Sequence, residues 1–181
     1  MKGIVFTEFL EMVEERFSPD VADEIIESTE LESGGAYTAV GTYHHQEIVA
    51  LVSRLSELQG TSVPDLLRTF GIRLFGRFHA GYPQFFEGSP TAFEFLEGVE
   101  GYIHVEVRKL YPDAELPTFD TTREGDALVM VYSSPRRMAD LAEGLILGCG
   151  EHFNEPLTVE REDLSGDGVT VRLVIRKANP N

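Results

Sequence analysis

ELPTFDTTREGDALVMVYSSPRRMADLAEGLILGCGEHF, residues 115–153, decides the fold class. Its first half, through Ser134, reads as a strand, a turn and a second strand. Its second half, from Pro135, reads as a helix with proline at the first position. Residues 156–177, PLTVEREDLSGDGVTVRLVIRK, read as a second hairpin turning at Gly166–Gly168. Two hairpins flanking a helix predict a four-stranded antiparallel sheet with helices packed on it.

Upstream the texture is helical. Leu10, Met12, Val13 and Phe17 fall at helical spacing, followed by Val21, Ile25 and Ile26. QEIVALVSRLSEL (46–58) and PDLLRTFGIRLFGRF (64–78) repeat the pattern. A Gly-, Pro- and Ser-rich segment, GYPQFFEGSPTAF, then separates a helical lobe of about residues 1–84 from an α+β lobe of about 85–181. A further helix starts near Ser89–Thr91, capped either by Ser89 with Pro90 behind it or by Thr91 with Glu94. It is expected to run to about Tyr111 and to stop before Pro112. The fold class is therefore α+β: a mainly helical N-terminal lobe and a C-terminal lobe built on the sheet.

Composition narrows the function. The net charge of −16 over 181 residues argues against a nucleic-acid partner and against docking to an anionic membrane. Residues 1–50 alone carry 11 acids against Lys2 and Arg16. One cysteine, Cys149, excludes an intramolecular disulfide and a cysteine-rich zinc site. The N-terminus carries Glu8, Glu11, Glu14 and Glu15, which interrupt the apolar centre a signal peptide needs. No apolar run approaches the roughly 20 residues of a membrane span, so the expected location is the cytoplasm.

Five histidines are the first candidates for chemistry. His44 and His45 are neighbours and, on a helix, point about 100° apart, which suits a surface pair better than a shared metal. His79 and His152 lie near loop ends with no ligand partner in register. His104 differs: it lies on a stripe, Phe93, Leu96, Glu100 or Gly101, His104, Val107 and Tyr111, that is mostly apolar. On position alone a lone histidine there is more often a core residue than a ligand. A single imidazole makes a metal site only where another group fills the remaining positions, as porphyrin does in haem.

The second candidate is Tyr132-Ser133-Ser134-Pro135-Arg136, where a strand gives way to a helix. Ser134 before Pro135 reads equally as an ordinary helix cap and as part of an anion site with the Tyr132 hydroxyl and the Arg136 fork. Two propionates of a haem would be such anions. No G-x-S-x-G elbow, nucleotide loop or acid–base pair is present.

Three segments together, MKGIVFTEFLEMVEE, GYIHVEVRKLYPDAELP and VYSSPRRMADLAEGL, resemble the H-NOX family, bacterial haem domains akin to the haem domain of soluble guanylate cyclase. Its specific part is Tyr-x-Ser-x-Arg placed 28 residues after a helical histidine. The resemblance covers essentially the whole chain and implies a haem b held between the lobes. It implies that His104 is the proximal iron ligand and that Tyr132, Ser134 and Arg136 hold the propionates. It implies that Pro117 presses on the macrocycle, and that Val5, Phe9, Leu74, Phe78, Leu141 and Leu145 line the pocket.

Two departures from the family pattern refine this. O₂-binding members carry a distal tyrosine nine residues after the motif tyrosine, and here that position is Leu141, flanked by Asp140 and Ala142. Bound O₂ carries partial negative charge and needs a donor, whereas NO needs little. The expectation is an NO-selective sensor that also binds CO. Some relatives hold zinc in the tail through several cysteines; LTVEREDLSGDGVTVRL has none, so that zinc is expected to be absent. The chain leaves no room for an output domain, so signalling is expected in trans, from a monomer, to a histidine kinase or diguanylate cyclase rather than through catalysis. The rivals are a haem enzyme or haem-trafficking protein using the same pocket, and a haem-free interaction module with His104 as a core residue.

Overall fold

The computed structural model describes residues 1–178, and the chain divides into two compact units, Met1–Phe70 and Gly71–Asn181. The first is helical: α1 (Gly3–Arg16), α2 (Pro19–Glu27), α3 (His45–Gln59) and the first turns of α4 (Val63–Gly81). Ser18 caps α2 by accepting from the Val21 N–H, with Pro19 at the first helical position. Phe6, Phe9, Val13, Ile25, Ile48, Leu51, Leu55 and Phe70 are fully buried. Of the stripe read at the start of the sequence, Met12, Val13 and Ile25 are buried while Leu10, Phe17, Val21 and Ile26 are only partly so, and Phe9 meets Phe70 edge-on with centroids 5.3 Å apart.

The start of the chain is fixed by the connection between α2 and α3. Its carbonyls satisfy the otherwise orphaned first N–H groups of α1: Gly3 donates to Gly41 O and Ile4 to Ala39 O. Gly3 is required sterically, because a Cβ there would lie 1.9 Å from Thr38 O. Buried Glu47 ties down the same connection, accepting from the Ser33 hydroxyl at 2.5 Å and the Tyr37 hydroxyl at 2.6 Å.

The second unit carries the sheet, β1 (Thr118–Glu124), β2 (Ala127–Ser133), β3 (Leu157–Asp163) and β4 (Thr170–Lys177), antiparallel throughout in the order β1-β2-β4-β3. Gly125, at φ +63°, makes the β1–β2 turn. Helix α7 (Ala139–His152) connects β2 to β3. Its Ala139, Ala142, Ile146 and Cys149 pack with Leu128, Met130, Leu173 and Ile175 of the sheet and with Phe93, Phe95 and Leu96 of α5 (Ala92–Glu97). The mixed architecture with a four-stranded antiparallel sheet is the one expected from the sequence. No helix among the described residues is long and apolar enough to cross a membrane.

Three details differ from expectation. The helix expected to run unbroken to Tyr111 is composite: α5, a π-helical turn at Val99–Ile103, and α6 (His104–Leu110). Its ends are as expected, with Thr91 capping through the Glu94 N–H and the helix stopping before Pro112. The helix expected from Pro135 begins instead at Ala139. Arg137 adopts φ +56°, a left-handed conformation that no α-helix can contain, so Ser134 caps a turn and not α7. Finally, the division into units falls inside α4 rather than in the Gly-Pro-Ser segment. The later part of α4 packs on α7: a Cβ at Gly71 would lie 2.5 Å from Leu141 O, and one at Gly148 2.9 Å from Ile72 O.

Candidate functional site

His104 is the first residue of α6, directly after the π-helical turn, and only 8% of it is exposed. Such wide turns recur at functional sites because they re-aim the side chain that follows. Burial pushes the imidazole below the ordinary histidine range, and the Glu100 carboxylate opposes that shift. Glu100 Oε2 lies 3.1 Å from His104 Nδ1. An ionised carboxylate only accepts, so Nδ1 carries the proton. Nε2 is then the nitrogen with a lone pair, the form a metal ligand requires.

The same oxygen accepts from the Phe119 N–H at 3.1 Å. The Phe119 ring stands 5.9 Å from the His104 ring and 5.8 Å from the Tyr132 ring, centroid to centroid. Phe119 and Tyr132 are also cross-strand partners, which brings the histidine and the Tyr-x-Ser-x-Arg motif to one end of the β1–β2 hairpin.

Within the motif, Tyr132 is buried and its hydroxyl oxygen accepts from the Met138 N–H at 2.9 Å. The Ser134 hydroxyl, also buried, accepts from the Arg136 N–H at 3.2 Å. Each hydroxyl proton is left to donate. Arg136 holds Glu115 in a fork, Nη1 on its carbonyl and Nη2 on its carboxylate, both at 2.8 Å. The arginine is mostly buried while Glu115 is exposed. A donor set that already binds a carboxylate suits the carboxylates of a haem, and the Nε2 lone pair of His104 suits its iron. The residues present therefore fit the group the resemblance implies.

The remaining expected residues fall as follows. Pro117 is half-buried, immediately before β1. Leu74 and Leu141 are buried, on α4 and in the first turn of α7; Phe78 and Leu145 are half-buried on the same two helices. Val5 is half-buried and Phe9 buried, both on α1 of the first unit.

Glu100, Phe119 and Glu115 emerge from the structure and not from the sequence. Glu100 stood on the histidine stripe, four residues before His104, and that spacing was the available signal. The structure also pairs His79 with His152, ring centroids 4.1 Å apart in a cluster with Phe86. The six tyrosines are accounted for. Tyr37 donates to Glu47, Tyr43 accepts from the Thr38 N–H, Tyr82 and Tyr111 bond each other, Tyr132 holds Met138, and Tyr102 is exposed.

The sequence profile of the haem-NO-binding family matches residues 2–161. The fold is similar to that of the Fe(II) unliganded H-NOX protein from K. algicida, with 41% identity and a TM-score of 0.94 over 99% of this chain and 98% of that one. It is similar to the H-NOX from Shewanella woodyi in the Fe(II)CO state, with 41% identity and a TM-score of 0.83 over 98% and 95%. An H-NOX protein from S. oneidensis in the Fe(II)NO state shares 25% identity and a TM-score of 0.91 over 99% and 100%. Among curated proteins none matches the chain.

Proposed function

The chain belongs to the H-NOX family of haem-NO-binding, gas-sensing domains, and from that premise we propose that it is an NO-selective sensor that signals in trans. The observation that carries the reading is His104: buried, with Glu100 Oε2 3.1 Å from its Nδ1, an arrangement that leaves Nε2 for a metal. We assign haem b as the cofactor, His104 as its protein ligand, and Tyr132, Ser134 and Arg136 as donors to its propionates. Pro117, Leu74, Phe78, Leu141 and Leu145 are the proposed haem-contacting residues of the second unit, and Val5 and Phe9 those of the first. Haem, when bound, would supply an iron able to take a gas ligand, and His104 would hold that iron.

The chain's own part is to hold and then release. Glu100 orients the imidazole and raises its basicity as a ligand. If NO weakened or broke the bond between His104 and the iron, His104 would be free to move with α6, and the segment through Pro117 would be free to relax against β1. Selectivity rests on what the pocket withholds. Leu141 occupies the position of the family's distal tyrosine, the chain has no tryptophan, and its tyrosine hydroxyls serve the contacts described above or stand at the surface. Relatives were solved with NO and with CO bound, which supports those two ligands here. A histidine kinase or diguanylate cyclase is the proposed receiver, in the cytoplasm, with the sensor a monomer and not itself an enzyme.

The test is His104→Gly. The variant is expected to lose haem or to keep it weakly, and added imidazole is expected to restore a ligated spectrum. Unchanged haem content and Soret position in the variant would overturn the assignment.

A further inference from the structure

Glu100 makes more contacts than orientation of one imidazole requires. Its Oε2 accepts from His104 Nδ1 and from the Phe119 N–H, both at 3.1 Å. Its Oε1 lies 3.8 Å from Arg108 Nη2, one turn along α6. The carboxylate is half-buried, and it belongs to the π-helical turn, the one irregular piece of backbone between α5 and α6. Phe119 belongs to β1, an edge strand, so its outward N–H has no strand partner and is available to a side chain. Across the strand pair Phe119 faces Tyr132.

We propose that Glu100 is a positioning residue that couples displacement of His104 to strand β1, through one oxygen shared between the imidazole and the Phe119 amide. The inference rests on the haem-sensor reading of His104 and names the element that the ligand's movement reaches first. Two donors share one acceptor, so loss of either changes the charge the other meets. When His104 leaves the iron and swings with α6, Glu100 must follow it, yield the Phe119 N–H, or part from the imidazole. Each of these alters the hold on the edge strand at the residue opposite the propionate motif. The π-helical turn gives the carboxylate room to make that choice, because its backbone already departs from the α-helical ladder.

The test uses the full chain loaded with ferrous haem, wild type against Glu100→Gln, an isosteric change at a half-exposed site. The glutamine oxygen takes the place of Oε2 and faces both N–H groups without the charge, and its amide nitrogen takes the place of Oε1 beside Arg108. Resonance Raman is expected to show the iron–histidine stretch at lower wavenumber in the variant, a change that loss of a purely structural contact would not produce. Exchange of the Phe119 amide is expected to be about tenfold faster in the variant. Its exchange is expected to respond to NO in wild type and not in Glu100→Gln. A haem-loaded variant with the wild-type stretch and a wild-type NO response at Phe119 would overturn the coupling. Failure of the sensor reading is distinguishable: wild type would take up no haem, and Phe119 exchange in the two proteins, measurable without it, would still decide whether Glu100 tethers β1.

Discussion

Arg136 grips Glu115 twice, with Nη1 on the Glu115 carbonyl and Nη2 on its carboxylate. The arginine is 14% exposed and the glutamate side chain 85% exposed, so the carboxylate is the replaceable partner. A propionate in place of the Glu115 carboxylate would keep the mostly buried guanidinium paired, which makes the exchange inexpensive. Arg136→Ala is expected to weaken haem binding by roughly ten- to a hundredfold, the equivalent of one charged hydrogen bond of about 1.5–3 kcal/mol. Glu115→Gln is expected to bind haem at least as tightly as wild type. Haem titration of both variants checks the pair; equal affinity in Arg136→Ala and wild type would reduce the motif to a turn.

Leu141 stands in the first turn of α7, buried. Leu141→Tyr is expected to raise O₂ affinity modestly, because one new hydroxyl needs supporting contacts to be held in place. O₂ equilibrium measurements on ferrous protein check this, and a variant with no gain would remove Leu141 from the distal side.

The His79–His152 contact predicts an acid-sensitive packing. Burial, then the charge of His79, holds the His152 imidazole below the ordinary histidine range. The folded state therefore binds fewer protons than the unfolded one once pH falls below about 6.5. Stability from this contact is complete above that pH and is lost as pH falls. His152→Gln is expected to flatten the fall in melting temperature between about pH 7 and 5; an unaltered slope would contradict the coupling.

Cys149 is fully buried, its Sγ 3.7 Å from Ala92 O, and burial pushes the thiol far above its usual range. The thiolate is the reactive form. Iodoacetamide at pH 8 is expected to spare native protein and to modify unfolded protein within minutes, as read by mass spectrometry.

Much of this was legible in the sequence for identifiable reasons. The continuous apolar run ALVMVY and the glycine turns reported the hairpins, and Thr91 with Glu94 and Pro112 bounded the helix that carries His104. What escaped were features made by backbone conformation or by long-range contact. Helical spacing placed Glu100 on the histidine face but could not show the π-helical turn that sets its reach. Ser134-Pro135 imitates a helix start; the left-handed Arg137 and the hydrogen bond from Met138 N–H to the Tyr132 hydroxyl postpone it to Ala139. His79 and His152 meet only because Gly71 and Gly148 let α4 and α7 approach, which no local pattern encodes.

The central claim is gas selectivity at a haem held by His104, and the most direct measurement is the absorption spectrum of the ferrous protein under air and then under NO. The account predicts a spectrum that air leaves unliganded apart from slow oxidation, and that NO shifts at once. A stable oxygenated spectrum under air would mean that a donor reaches the bound gas, and would contradict the account.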